Sequence, residues 1–166
     1  MEKVEKARVI RVHGHGGPEL MRLEEADVPP PAPHEVRIRQ KAVGLNFIDI
    51  YCRTGLYAHP LPHGLGFEAS GVVESAGADV RHLRAGDRVA YGQSPIGAYA
   101  DLRNVPADRV VRIPDSVGFE QAAALMLKGL TVQYLFRQTY RLQGNETILF
   151  HAAAGGGGLI ACQWAR

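Results

Sequence analysis

Residues 147–166 read TILF, then HAAAGGGG, then LIACQWAR: an apolar stretch, a glycine-crowded turn and a helix-forming run. Gly155, Gly156, Gly157 and Gly158 suit a task that side chains would obstruct. A diphosphate reaches backbone N–H groups at a helix N-terminus only where nothing covers them, and the helix dipole adds attraction. Strand, turn and helix in this order, with the spacing Ala152-x-x-Gly155-x-x-Gly158, form the opening of a dinucleotide site. Glycines alone would suit a flexible loop equally well; the flanking segments favour the nucleotide. The glycines of the first helical turn cost about 1 kcal/mol each relative to alanine. A nucleotide-binding sheet needs a second parallel strand after this helix, and the sequence ends at Arg166.

The 166 residues are enough for a real core, with 46% hydrophobic composition. Lys and Arg number 19 against 17 acidic residues, a net charge of +2, and the basic residues are dispersed. A polyanion-binding tract is not expected. Cys52 and Cys162 are far apart and lack CxxC spacing, which argues against a disulfide framework or thiolate cage and for a reducing compartment. The opening MEKVEKARVIRV is charged where a signal peptide needs an apolar stretch, and no window approaches a membrane span. A cytoplasmic protein that does not engage membranes is expected.

From Ala7 to about Pro114, short alternating apolar stretches separated by Gly, Pro and Asp predict an all-β region. Val36 and Ile38 alternate with Arg37, Arg39 and Lys41, and β-prone runs over 70–76 and 88–90 are bounded by Gly77 and by Gly86-Asp87. The proline-rich stretch 27–34 reads as a stiff surface connector. After Pro114 come turn and cap residues, then an Ala-rich helix over 119–127 that Lys128-Gly129 is expected to break. A helix over 130–140 would place Val132, Leu135, Phe136 and Thr139 on one face, before a turn at Gly144-Asn145 and a strand over 147–150. A β-rich domain over 1–125 and an α/β domain beginning at 126 follow from this change of texture.

Six segments occur together and in order: GLNFIDIY at 44–51, GLY at 55–57, GLGFEASG at 64–71, AGDRVAY at 85–91, FEQAAALMLKGL at 119–130 and the glycine run. Their combination strongly resembles quinone oxidoreductases, zinc-free members of the medium-chain dehydrogenase/reductase superfamily. The resemblance implies an α+β and α/β architecture: a GroES-like catalytic domain, then the start of a Rossmann-type, doubly wound domain that carries NADPH. It also implies a chain about twice this length. The sequence therefore looks truncated, and by itself is expected to be inactive, with unpaired sheet edges that favour aggregation, swapping or disorder after about residue 125. A homodimer is implied at full length.

In zinc alcohol dehydrogenases the position resembling Asn46 is a Cys ligand, and the segment resembling Gly66-Phe67-Glu68 is Gly-His-Glu. Asn46 and Phe67 cannot replace thiolate and imidazole, so no metal is expected. Cys52 is displaced from the ligand position, and His13 and His15, among Gly14, Gly16, Gly17 and Pro18, read as turn residues. A quinone has low-lying acceptor orbitals and gives a phenolate-like product, so hydride transfer from nicotinamide needs positioning and hydrogen-bond donors rather than a strong Lewis acid.

The resemblance places Asn46 and Phe47, Ile48, Asp49, Ile50 and Tyr51 beside the nicotinamide. The Asn46 amide, Tyr51 and Tyr57 are the catalytic candidates, with Tyr57 lining the quinone cleft. The same Phe47, Ile48 and Ile50 would equally serve as core, and the tyrosines as amphipathic surface anchors. Thr131 and Tyr134 are expected at the cofactor, ahead of Lys128, which could simply be solvated. The glycine run would hold the diphosphate. Glu68 reads as a buried structural carboxylate without a catalytic step. Gln93 and Ser94 lie in a loop with no nucleophile–base–acid arrangement, so hydrolase chemistry is not indicated. Two alternatives stay open: an enoyl or alkenal reductase of the same superfamily, and a noncatalytic nucleotide- or RNA-binding protein like the crystallin relatives, which the lack of a basic stripe disfavours.

Overall fold

The computed structural model describes residues 3–93 and 95–166; Met1, Glu2 and Ser94 lie outside the described residues, Ser94 with the loop reading made for it. Two antiparallel sheets make up the first part. Strands β1 (Glu5–Val12), β2 (Met21–Val28) and β4 (His63–Gly64) form one sheet in the order β2-β1-β4. The second sheet is built from β3 (Glu35–Val43), β5 (Glu68–Ala76), β6 (Arg88–Gly92), β7 (Leu102–Pro106) and β8 (Val110–Arg112), in the order β7-β3-β5-β6-β8. The alternation read from sequence is realised in β3, where Val36 and Ile38 are fully buried against Val73, Val89, Val105 and Tyr91. Gly77 and Gly86 bound β5 and β6 as expected, with Gly86 in the left-handed region at φ +90°. Of the proline-rich stretch, Asp27 and Val28 belong to β2, and only the residues after them form the connector.

The β region contains a helix that its composition does not announce. Helix α1 (Phe47–Thr54) is rich in β-branched and aromatic residues, which favour strands. Its ends decide the matter. Asp49 Oδ2 accepts a 2.8 Å hydrogen bond from the Asn46 N–H, and Gly55 closes the last turn at φ 84°.

Helix α2 (Phe119–Tyr134) runs unbroken through Lys128-Gly129, contrary to the break expected there. A single glycine inside a helix costs only about 1 kcal/mol, and packing on both sides of the position outweighs it. Ala122, Phe119 and Met126 pack with Ala90 and Ile113 of the β region. Val132 and Phe136 pack with Ala161, Phe150 and Ile160. One rigid rod therefore crosses residue 125 and belongs to both cores. A π-helical turn at Leu135–Thr139 ends it; Val132 and Phe136 are buried and Leu135 is half-buried, but Thr139 is exposed.

The strand expected over 147–150 is not formed. A strand is a paired object, and no described segment offers these residues a ladder; Leu149 is 85% exposed. The turn at Gly144-Asn145 and the helix that follows the glycines, α3 (Gly156–Trp164), are present.

Candidate functional site

Three elements converge at one point: the N-terminus of α1, the first residue of β5 and the middle of α2. Glu68 opens β5 and is completely buried. Its Oε1 accepts from Asn46 Nδ2 at 2.8 Å and from the Lys128 ammonium at 2.9 Å, and its Oε2 accepts from the Leu127 N–H of α2 at 2.6 Å. Lys128 Nζ also donates to Asn46 Oδ1 at 2.7 Å. A buried carboxylate is tolerable only when paired and hydrogen-bonded, and Glu68 is both. The space for it comes from Gly44, whose missing Cβ would overlap the Glu68 carboxylate.

Asn46 occupies the N-cap position of α1, yet its side chain is spent on Glu68 and Lys128. Asp49 is the other buried carboxylate here, held by the Asn46 N–H and by the Tyr99 hydroxyl at 2.9 Å. Burial pushes its carboxyl above the ordinary range; hydrogen bonds from Asn46, Tyr99 and Gly66 pull it partly back, and the Glu68 charge adds to the rise. Burial and the two carboxylates also push the Tyr99 hydroxyl far up, so it stays a donor. Burial, then the charge of Asp49, raises the Cys52 thiol.

The eight residues of α1 divide into two faces. Ile48 packs on Val12, Leu65 and the buried Cys52, so Ile48 and Asp49 serve the interior. Phe47 is 74% exposed and Ile50 40% exposed, so neither is core. Tyr51 stacks edge-on against Tyr57 at 5.4 Å and lies 6.3 Å from Phe47. The result is an open aromatic ladder beside Asn46.

Lys128 also reaches the glycine turn. A Cβ on Gly156 would stand 2.7 Å from Lys128 Cδ, so the lysine stem lies against the start of α3. Thr131 is half-buried and its hydroxyl donates to Leu127 O at 2.9 Å, while Tyr134 is 40% exposed. A Cβ on Gly157 would meet nothing within 4 Å, and one on Gly158 would overlap Ala153. The Gly155 N–H at the N-cap is taken by Ala152 O at 2.9 Å, whereas the N–H groups of Gly156, Gly157 and Gly158, in the first turn of α3, have no acceptor one turn back within the helix. The turn thus fits a diphosphate. Lys128, a lesser candidate in the sequence, is the residue that links this turn to Asn46 and Glu68. The only signal for it was its place in the FEQAAALMLKGL segment.

The donor set at Asn46 does not fit a zinc ion. The donors gathered at Asn46 are an amide, one carboxylate and an ammonium already seated on it, a set without thiolate or imidazole, and no group of three His, Cys, Asp or Glu suited to a metal occurs among the described residues. His13 pairs with Glu24 at 2.5 Å, and His15 lies 6.1 Å from His63. Among the described residues no helix is long and apolar enough to cross a membrane.

The chain is similar over nearly its whole length to known oxidoreductases. The chain is 55% identical over 161 residues to a quinone oxidoreductase of Pseudomonas aeruginosa, covering 96% of this chain and 50% of that protein. The solved quinone oxidoreductase of Escherichia coli, in complex with NADPH, superimposes with a TM-score of 0.92 at 53% identity, over 95% of this chain and 49% of that one. A 2-haloacrylate reductase of a Burkholderia species is 42% identical over 162 residues, covering 93% of this chain and 48% of that protein. The chain thus spans about half the length of the relatives it matches. Residues 32–115 match the alcohol dehydrogenase GroES-like domain, and the chain belongs to that family.

Proposed function

We propose that this chain forms the acceptor side, and the first part of the nucleotide side, of an NADPH-dependent quinone reductase that works without zinc. The observation that carries the reading is the continuous contact from Asn46 and Glu68 through Lys128 to Gly156, which joins a donor-lined site to a diphosphate-binding turn. The likeness to the NADPH-bound quinone oxidoreductase supports the cofactor. The GroES-like part would extend to about residue 125, and the nucleotide-binding part would begin at 126.

When bound, NADPH supplies a hydride from C4 of its nicotinamide. The chain's own residues bind and orient. The first-turn N–H groups of Gly156, Gly157 and Gly158, after Gly155 at the N-cap, would hold the diphosphate, with Thr131 and Tyr134 along the cofactor. Phe47, Ile50 and Tyr51 would flank the nicotinamide from the open face of α1, with Ile48 and Asp49 fixing that helix from within. Tyr51 and Tyr57 would wall the quinone, and the Asn46 amide would donate to its oxygen. The aromatic walls would hold the ring in place while the donors stabilise the hydroquinone anion, which water then protonates.

The test is NADPH consumption by the protein in the length it has in the cell, with several small quinones and with a strong chelator present. Turnover that survives chelation supports the reading; failure across all the quinones refutes it. A second reading, reduction of an activated C=C bond, is favoured by the 42% identity to the 2-haloacrylate reductase. Faster turnover of an enone or haloacrylate than of any quinone would establish it.

A further inference from the structure

The Asn46 amide is flanked by two groups of opposite and fixed hydrogen-bonding character. Glu68 Oε1, as a carboxylate, only accepts, and it faces Nδ2 at 2.8 Å. The Lys128 ammonium only donates, and it faces Oδ1 at 2.7 Å. The amide is therefore oriented: its oxygen faces Lys128, and one Nδ2–H remains beyond the one given to Glu68. The ammonium, with two of its three N–H groups on Asn46 and Glu68, has one left. The cluster thus keeps two N–H donors to offer, one on the amide and one on the ammonium. Lys128 is partly open, its side chain 25% exposed, whereas Glu68 is fully covered, so the open side of the pair is the cationic one.

We propose that Lys128 is a positioning and specificity-determining residue: seated on Glu68, it holds the Asn46 amide with its N–H outward and makes the site selective for acceptors whose oxygen gains negative charge. The inference rests on the reductase reading above. In the reaction, a hydride with its two electrons adds to the acceptor, the electrons of the acceptor π system move onto its oxygen, and the nicotinamide is oxidised. The Asn46 N–H meets that oxygen, and a water proton completes the hydroquinone. Without the lysine, no donor holds Asn46 Oδ1, and the amide can turn its oxygen outward. Asp49 is the only other carboxylate of the cluster; it grips the Asn46 backbone N–H and leaves the side chain untouched.

The test compares the wild type with Lys128→Met and Lys128→Arg. For K128M, kcat with a quinone is expected to fall at least about tenfold while KM for NADPH changes little, and K128R, which keeps a donor at that place, retains most of the activity. In parallel, the Asn46 side-chain amide is followed by NMR without nucleotide. Its signals should move in K128M and stay near their wild-type place in K128R. Wild-type kcat in K128M together with unmoved Asn46 amide signals would overturn the proposal. Should K128M not fold, Asn46→Asp, which puts an acceptor in place of the donor, is expected to lose at least about tenfold in kcat, and full activity would overturn the proposal. An inactive wild type would refute the reductase reading, while the Asn46 amide signals still decide whether Lys128 sets the amide.

Discussion

Gly156 and Lys128 touch in a way that only glycine permits, since a Cβ at Gly156 would stand 2.7 Å from Lys128 Cδ and 2.9 Å from its Cε. The neighbouring Gly157 has no such constraint, with nothing within 4 Å of its Cβ position. On the proposed reading, the two glycines separate packing from diphosphate binding. Gly156→Ala is expected to destabilise the protein by about 1–3 kcal/mol, because the lysine stem is pinned at its far end by Asn46 and Glu68. Gly157→Ala is expected to stabilise the free protein by up to about 1 kcal/mol, yet to weaken NADPH binding where the diphosphate needs bare backbone. Denaturant midpoints and nucleotide titration of both variants check this.

Ala152 sits at φ 56°, in the left-handed region that a side chain enters at a cost of about 1–2 kcal/mol. It heads the Ala152-x-x-Gly155-x-x-Gly158 spacing. Ala152→Gly relieves that cost but loosens the unfolded chain, so a net gain of up to about 1 kcal/mol is expected in a denaturant melt.

Glu68 is the keystone of the site's packing. Gly44→Ala would push a methyl group into its carboxylate, and Glu68→Ala would leave Lys128, Asn46 and the Leu127 N–H without their shared acceptor. Each is expected to cost about 3 kcal/mol, read as a lowered thermal or urea midpoint.

Asp49 gives a pH dependence of definite sign. Its folded-state carboxyl lies above the ordinary value of 3.8, first because of burial. The folded protein therefore binds this proton more tightly than the unfolded chain. The associated stability is full below the unfolded value and is lost as pH rises through the folded one. Asp49→Asn keeps an oxygen for the Asn46 N–H and the Tyr99 hydroxyl and removes the ionisation. The variant's stability relative to wild type should rise with pH across that window; urea midpoints measured from acid to neutral pH check it.

Much of the fold was legible because the β strands obey local rules: Val36 and Ile38 alternate with charged neighbours, and Gly77 and Gly86 punctuate the turns. Helix α1 was not, because its caps, Asn46–Asp49 and Gly55, outweigh β-prone FIDIYCRT. The break expected at Gly129 failed for a tertiary reason, since α2 is held by a different core on each side of it. Residues 147–150 have a strand's composition but no partner to pair with, which no local pattern encodes. At the candidate site, Asn46, Tyr51 and Tyr57 were singled out through motifs. The bond from Lys128 to Asn46 spans 82 positions of sequence, and nothing local in the sequence discloses it.

The central claim is that Asn46, Glu68 and Lys128 lie at the nicotinamide end of a cofactor whose diphosphate rests on the glycine turn. A crystal structure of the protein, in the length it has in the cell, with NADPH and an unreactive quinone analogue tests it most directly. The expected result is the diphosphate on the N–H groups of Gly156, Gly157 and Gly158 and the analogue's oxygen within hydrogen-bond distance of Asn46 Nδ2. Nucleotide bound away from the glycine turn, or a metal ion seated between Asn46 and Glu68 in place of the lysine, would contradict it.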